Sequence, residues 1–330
     1  MNISSEIAFY VGEVLQIVVR NEDDIASCLQ LAMLLEASAY PKPGNVHRRR
    51  DFRETRFEHF LASAAALGPT YRYAAYRGIM VSKGKTGFSQ VGLGKIVKTG
   101  VLNMLRCQTG GNTSLGTILL LTPIAISAGI AATNGILNSQ TLRANLKRLL
   151  RSATHVDSIY LYEAISIVSP GGIGTDSELD VTSRQSIDRI KRDHIIPLKI
   201  FSIAAKRDSV ASEWANTYEM TFELGYPYFS RCIATNPDIN AATVNTFLKI
   251  LSTVPDTLIA RKVGKEKACY VSTRARKCLR AGGIATREGK RLINRLDRDL
   301  VTSNHELNPG TTADIVSAVL AIALLLGLRT

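Results

Sequence analysis

Apolar side chains recur at three- and four-residue intervals along most of the chain, while strand-like alternation is scarce. The period predicts an all-α fold. Ile25, Leu29, Ala32 and Glu36 share one helical face behind the capping candidates Asn21 and Asp23, and this helix must end before Pro41. Phe57, Phe60, Leu61, Ala64 and Leu67 mark a second amphipathic helix, with Glu54 just ahead of it. Residues 91–106, 115–131, 142–151, 159–168, 209–224, 241–251 and 311–328 read as further helices. Two more apolar stripes are Ala268, Val271, Ala275, Leu279 and Leu292, Ile293, Leu296, Leu300. No repeat and no clean linker divides the pattern, so one helical domain over residues 1–330 is expected, with glycine- and proline-rich loops forming a central cleft. The longest loop, residues 168–181 with Pro170, Gly171, Gly172 and Gly174, reads as a surface connection or a lid.

Two runs are almost wholly apolar: residues 118–130, which carry Pro123, and residues 315–328. Both fall short of the roughly 20 residues that span a bilayer, so they are expected as buried helices and no membrane contact is expected. The start, Met1 to Glu6, lacks a basic segment before an apolar core, so no secretory signal is expected. Cys28, Cys107, Cys232, Cys269 and Cys278 form no close pair. That spacing argues against a zinc site or a disulfide framework and fits a reducing cytoplasm.

Charge changes the picture more. A net +13 and a sequence pI near 9.6 favour anionic partners. Between residues 261 and 298, 13 Lys or Arg face Glu266, Glu288 and Asp297 as the acids. The apolar stripes leave these bases on outward faces, and Tyr270 is the one aromatic residue there, which weighs against stacking on nucleic-acid bases.

Candidate chemistry gathers at four junctions. In Tyr40-Pro41-Lys42-Pro43-Gly44-Asn45-Val46-His47, two prolines restrict Lys42, Gly44 permits a turn, and Arg48, Arg49 and Arg50 follow. Such a loop suits either a phosphate-rich ligand or a stiff surface turn. Glu36, one turn earlier on the apolar stripe, is either a satisfied core group or a cleft residue. Gly110-Gly111-Asn112-Thr113-Ser114-Leu115-Gly116 opens an apolar helix, with Asn112 or Thr113 as cap, and an uncapped helix start can hold an anion. Its spacing is not that of a P-loop. In residues 254–264, Asp256 or Thr257 can cap a helix whose face carries Thr257 and Arg261, with Lys262 beside them. Asn308-Pro309-Gly310-Thr311-Thr312-Ala313-Asp314 contains a Thr311-x-x-Asp314 capping-box pattern. His59, His155, His194 and His305 lack zinc-ligand spacing and read as structural.

Residues 35–44, Phe60-Leu61-Ala62-Ser63, Asn112-Thr113, Asp256-Thr257 with Arg261 and Gly264, and Pro309-Gly310 with Ala313-Asp314 resemble, in order, the triphosphoribosyl-dephospho-CoA synthase family. The chain departs where the family has an acid at His47, a His-Lys pair at Ser114-Leu115, and a His-x-Asp-Met segment at Phe52 to Thr55. The resemblance implies an all-helical transferase that joins the 5-triphosphoribosyl group of ATP to a hydroxyl of 3'-dephospho-CoA or a related acceptor and releases adenine. It places Lys42, Gly44, Asn112, Thr113, Gly116, Thr257, Arg261, Lys262 and Gly310 on the nucleotide. Mg2+ is expected on Glu36, Glu54, Asp256 or Asp314, and the catalytic groups are expected to be His47, as the base, with Glu54 and Asp256. A helical nucleotide or anionic-cofactor binder without turnover and a basic nucleic-acid-binding protein are the alternatives; the oligomeric state is left open.

Overall fold

The computed structural model describes residues 19, 21–133, 137–168, 179–181, 183–301 and 305–329. Among them the chain is helical and holds no strand; the one bridge, His47 to Arg50, lies in a turn. The helices are α1 (Glu22–Ser38), α2 (Phe57–Ser82), α3 (Leu93–Cys107), α4 (Leu115–Thr133), α5 (Ser139–Ser152), α6 (His155–Val168), α7 (Arg184–Arg192) and α8 (Pro197–Ala204). They continue with α9 (Ser209–Ala215), α10 (Tyr226–Thr235), α11 (Ile239–Thr253), α12 (Thr257–Val263), α13 (Lys265–Arg280), α14 (Arg287–Leu300) and α15 (Gly310–Leu325). The start of the chain and most of the 168–181 loop, for which a missing signal and a lid were expected, lie outside the described residues.

α4 is the axis of the main core. Nearly all of its side chains from Leu115 to Ala131 are buried, and α2, α15, α1 and α3 pack around it. By length and composition it is the one described helix that could cross a membrane, but 89% of its most apolar window is buried inside this bundle. Backbones meet closely where α2 crosses α4. A Cβ on Gly78 would lie 2.0 Å from the Ile126 carbonyl oxygen, and one on Gly129 would lie 2.1 Å from that of Ala75. Glycine at both crossings lets the two helices touch. A smaller core of Tyr162, Leu179 and Ile190 lies apart, under α6 and α7.

Both long core helices contain a proline. Pro69 in α2 cannot donate to the Ala65 carbonyl four residues back, and Pro123 in α4 cannot donate to that of Leu119. Each vacancy is filled from another helix. Gln30 Nε2 of α1 donates to Ala65 O at 3.2 Å and to Ala64 O at 3.0 Å, and Trp214 Nε1 of α9 donates to Leu119 O at 3.1 Å. Gly68 leaves room for the first contact, since a Cβ there would sit 2.7 Å from Gln30 Nε2.

The expected single helix over residues 209–224 is broken. α9 ends at Ala215, Thr217 and Tyr218 take positive φ of 53° and 57°, and a π-helical turn, Met220–Gly225, leads into α10. The left-handed pair swings Tyr218 into the core, where its hydroxyl donates to Leu120 O at 2.8 Å. The buried Glu213 carboxylate accepts from the Met220 and Thr221 N–H groups at 2.9 and 3.0 Å, satisfying the new helix start. Tertiary packing thus overrides a continuous helical period.

Candidate active site

Residues from the Glu54, Asn112, Thr257 and Asp314 junctions line one cleft of about 1610 Å³. Short contacts lock these segments together. Thr55 Oγ1 donates to Gly110 O at 3.0 Å, and Ser63 Oγ meets Thr113 Oγ1 at 2.7 Å. Thr257 Oγ1 lies 3.3 Å from Thr311 Oγ1 and accepts from the Ser209 N–H at 3.1 Å. Asn112 caps α4 as expected, its Oδ1 accepting from Leu115 N at 3.1 Å.

Asp314 lies at the first turn of α4. Thr117 Oγ1 donates to its Oδ1 at 2.6 Å, while Oδ2 occupies the space a side chain on Gly116 would fill, 2.1 Å from an ideal Cβ. Gly116 therefore serves close approach of a carboxylate. Burial pushes Asp314 up to about 7, the Thr117 bond opposes this, and the charges of Glu36, Asp256 and Asp208 add to it. The Thr311-x-x-Asp314 capping box does not form, because α15 begins at Gly310 and both residues lie within it.

Of the expected site residues, Glu36, Glu54, Asn112, Thr113, Gly116, Thr257, Arg261, Lys262, Gly310 and Asp314 line the cleft. Lys42, Gly44, His47 and Asp256 do not. Lys42 is 1% exposed and donates to Glu36 Oε1 at 2.5 Å and Glu36 O at 2.9 Å, so the clamped lysine neutralises a buried acid instead of reaching a ligand. Burial pushes the Glu36 carboxyl upward and Lys42 opposes it. Gly44, with φ of 73°, makes the turn against Leu300, and its N–H donates to Asp297 Oδ1 at 3.0 Å. Arg50 Nη1 reaches the same oxygen at 2.5 Å. His47 is 1% exposed; its Nδ1 accepts from Arg49 N, and its Nε2 lies 3.9 Å from Asp297 Oδ2. The proline loop is thus anchored to α14 through one aspartate, which corrects the phosphate role expected of Lys42 and Gly44 and the basic role expected of His47.

Asp256 is corrected on the same ground. Its Oδ1 accepts from Leu258 N and Ile259 N at 2.9 and 3.2 Å, and its Oδ2 accepts from Thr312 N and Oγ1, both at 2.7 Å. It caps α12 and pins it to α15, with no oxygen left for a metal or a proton transfer. Arg261 lines the cleft but is ion-paired with Asp208.

The imidazole in the cleft is His305, which its spacing had marked as structural. Its ring stacks on Phe52 at 3.7 Å between centroids and 11° between planes, and its buried Nδ1 has no hydrogen-bond partner among the described residues. Burial and the nearby Lys262 charge push it below its ordinary value, while Glu54 pulls it up, so the neutral form prevails at neutral pH. Its place five residues before Gly310 was the available signal. Among the described residues no three His, Cys, Asp or Glu side chains form a metal cage.

Comparison with known proteins gives a consistent result. The model of the family described as CitG: ATP:dephospho-CoA triphosphoribosyl transferase matches residues 22–329. A protein of Pseudomonas savastanoi pv. phaseolicola, described as a probable 2-(5''-triphosphoribosyl)-3'-dephosphocoenzyme-A synthase, is 24% identical over 303 residues, covering 88% of this chain and 87% of its own. A protein of the same description from Pseudomonas syringae pv. syringae is 26% identical over 305 residues with the same coverage. An Archaeoglobus fulgidus crystal structure, described as a triphosphoribosyl-dephospho-CoA synthase, superposes with a TM-score of 0.57 at 22% identity, covering 81% of this chain and 98% of that one. The structural likeness establishes the shared helical fold.

Proposed function

The chain belongs to the ATP:dephospho-CoA triphosphoribosyl transferase family, and from that premise we propose that it transfers the 5-triphosphoribosyl group of ATP to a hydroxyl of 3'-dephospho-CoA, releasing adenine. It is a transferase of this family. The observation that carries the reading is convergence: segments around residues 54, 112, 257 and 314 line one cleft with both carboxylates and cations.

Breaking the bond between ribose C1 and adenine N9 develops positive charge on the sugar, as in glycoside hydrolysis. Glu54 and Asp314 supply the negative field for it, with Asp314 acting when ionised. Arg53, Lys262 and the first turn of α4 at Asn112 and Gly116 are the groups for the triphosphate. Asp314 and Glu54 are also the carboxylates that would hold Mg2+, whose charge would screen the phosphates. His305 accepts the acceptor's hydroxyl proton as the new C1–O bond forms. The electron pair of the broken bond leaves on adenine N9, which takes a proton from water, and His305 returns the hydroxyl proton to that water, so the net transfer is from acceptor to adenine.

Purified protein with ATP, Mg2+ and dephospho-CoA should release adenine only when the acceptor is present, and EDTA should stop the release until Mg2+ is restored. Release without acceptor would mark a nucleosidase. No release with any hydroxyl acceptor would leave a nucleotide binder.

A further inference from the structure

The cleft exceeds the roughly 300–1000 Å³ of most small-molecule sites, and its extra length is chemically distinct. It extends to α6 and α8, where the partly exposed Ile165, Val181, Ile200 and Ile203 line it as an apolar wall with the buried Leu161 and Phe201. Val181, Ile200 and Ile203 pack on the separate small core of Tyr162, Leu179 and Ile190, in which Tyr162 OH donates to Leu179 O at 2.8 Å and of which Tyr162 and Leu179 also line the cleft. Beyond α8 the wall changes character abruptly: Lys206 and Arg207 follow, both exposed into the cleft, and neither is ion-paired among the described residues. Next come Asp208, paired with Arg261, and Ser209, bonded to Thr257. One wall therefore reads, in chain order, as apolar groove, pair of free cations, then polar junction.

An unpaired cation pair between an apolar groove and a polar site suits a ligand with a long, weakly polar tail joined through phosphate to a polar head. Dephospho-CoA has this order: pantetheine arm, pyrophosphate, adenosine. Resting on the transferase reading above, we propose that the α6–α8 groove seats the pantetheine arm of the acceptor and that Lys206 and Arg207 bind its pyrophosphate, which turns the adenosine hydroxyls towards Asp314 and His305. The groove then selects acceptors bearing the arm over plain nucleotides. ATP lies at the other end and makes no use of it.

The probe is 4'-phosphopantetheine, which carries the arm and one phosphate but no nucleoside. By calorimetry on the full chain it should compete with dephospho-CoA and leave ATP affinity unchanged. The double variant Lys206→Ala/Arg207→Ala, at two exposed positions that leave the core intact, should weaken dephospho-CoA binding about tenfold or more, and Ile200→Asn should do likewise, each leaving ATP affinity within about twofold. Absence of competition, or variants that weaken ATP as much as dephospho-CoA, would overturn the subsite. The two readings separate cleanly. Competition without adenine release removes the proposed reaction and keeps the groove assignment; adenine release without competition does the reverse.

Discussion

His305 and His47 show how little a residue's type says without its surroundings. Both are imidazoles near basic residues, yet one stacks on Phe52 in the cleft and the other is sealed against Asp297. His305→Asn should lower kcat by about 10²-fold with little change in the KM for ATP, and should remove the acidic limb of the kcat/KM profile. His47→Asn should lower thermal stability and leave the residual kcat near that of wild type. Equal kcat losses in the two variants, after correction for folded fraction, would contradict this assignment. Asp314 gives a pH test. Its folded-state value, raised to about 7 from an ordinary 3.8, means that its contribution to stability is full below about pH 4 and fades as pH rises through 7. The melting temperature of nucleotide-free protein, taken relative to Asp314→Asn, should therefore fall between pH 5 and pH 8. A difference that stays flat across that range would refute the buried placement. Asn112 and Asp314 were legible from the glycine turns beside them. Lys42 and Asp256 were legible as special but not as inward-facing, because a clamp on a ligand and a clamp on a neighbouring helix use the same atoms.

At the scale of elements, the apolar period located most helices within a few residues. It could not locate what patches them. Pro69 and Pro123 each free a carbonyl, and the donors, Gln30 and Trp214, are 35 and 95 residues from the carbonyls they serve. Trp214→Phe keeps most of the apolar volume but leaves Leu119 O without its partner, and should cost about 1–3 kcal/mol in urea unfolding. A loss below about 0.5 kcal/mol would mean that the kinked turn repairs itself. The break at Asn216 to Tyr218 was equally hidden, since nothing local in that sequence demands a left-handed turn. The pull comes from α4, whose Leu119 and Leu120 carbonyls accept from Trp214 and Tyr218. A core rearrangement of this kind also positions Glu213 and the π-helical turn along the cleft wall.

Across the whole molecule, the all-helical class and the junctions that share a site could be read from the chain, because glycine and proline must stand where a backbone turns sharply or approaches closely. The cleft's second half could not. Its wall is made of ordinary apolar residues from α6 and α8, which as a sequence look the same as core, and only their lining of a common space with Lys206 and Arg207 marks them out. Basic α13 reaches the cleft only through its first turns, where Lys265, Ala268 and Cys269 line it, while Tyr270 is exposed with Arg274 at 5.5 Å from its ring. In the proposed reaction two substrates meet in one cleft and exchange a sugar for a proton. Single-turnover mass spectrometry, with enzyme in excess over dephospho-CoA and ATP present, tests this most directly. One adenine should be released for each acceptor that gains a triphosphoribosyl group, with both signals falling together in Asp314→Asn. Adenine without a mass gain on the acceptor, or an unchanged acceptor and no adenine, would contradict it.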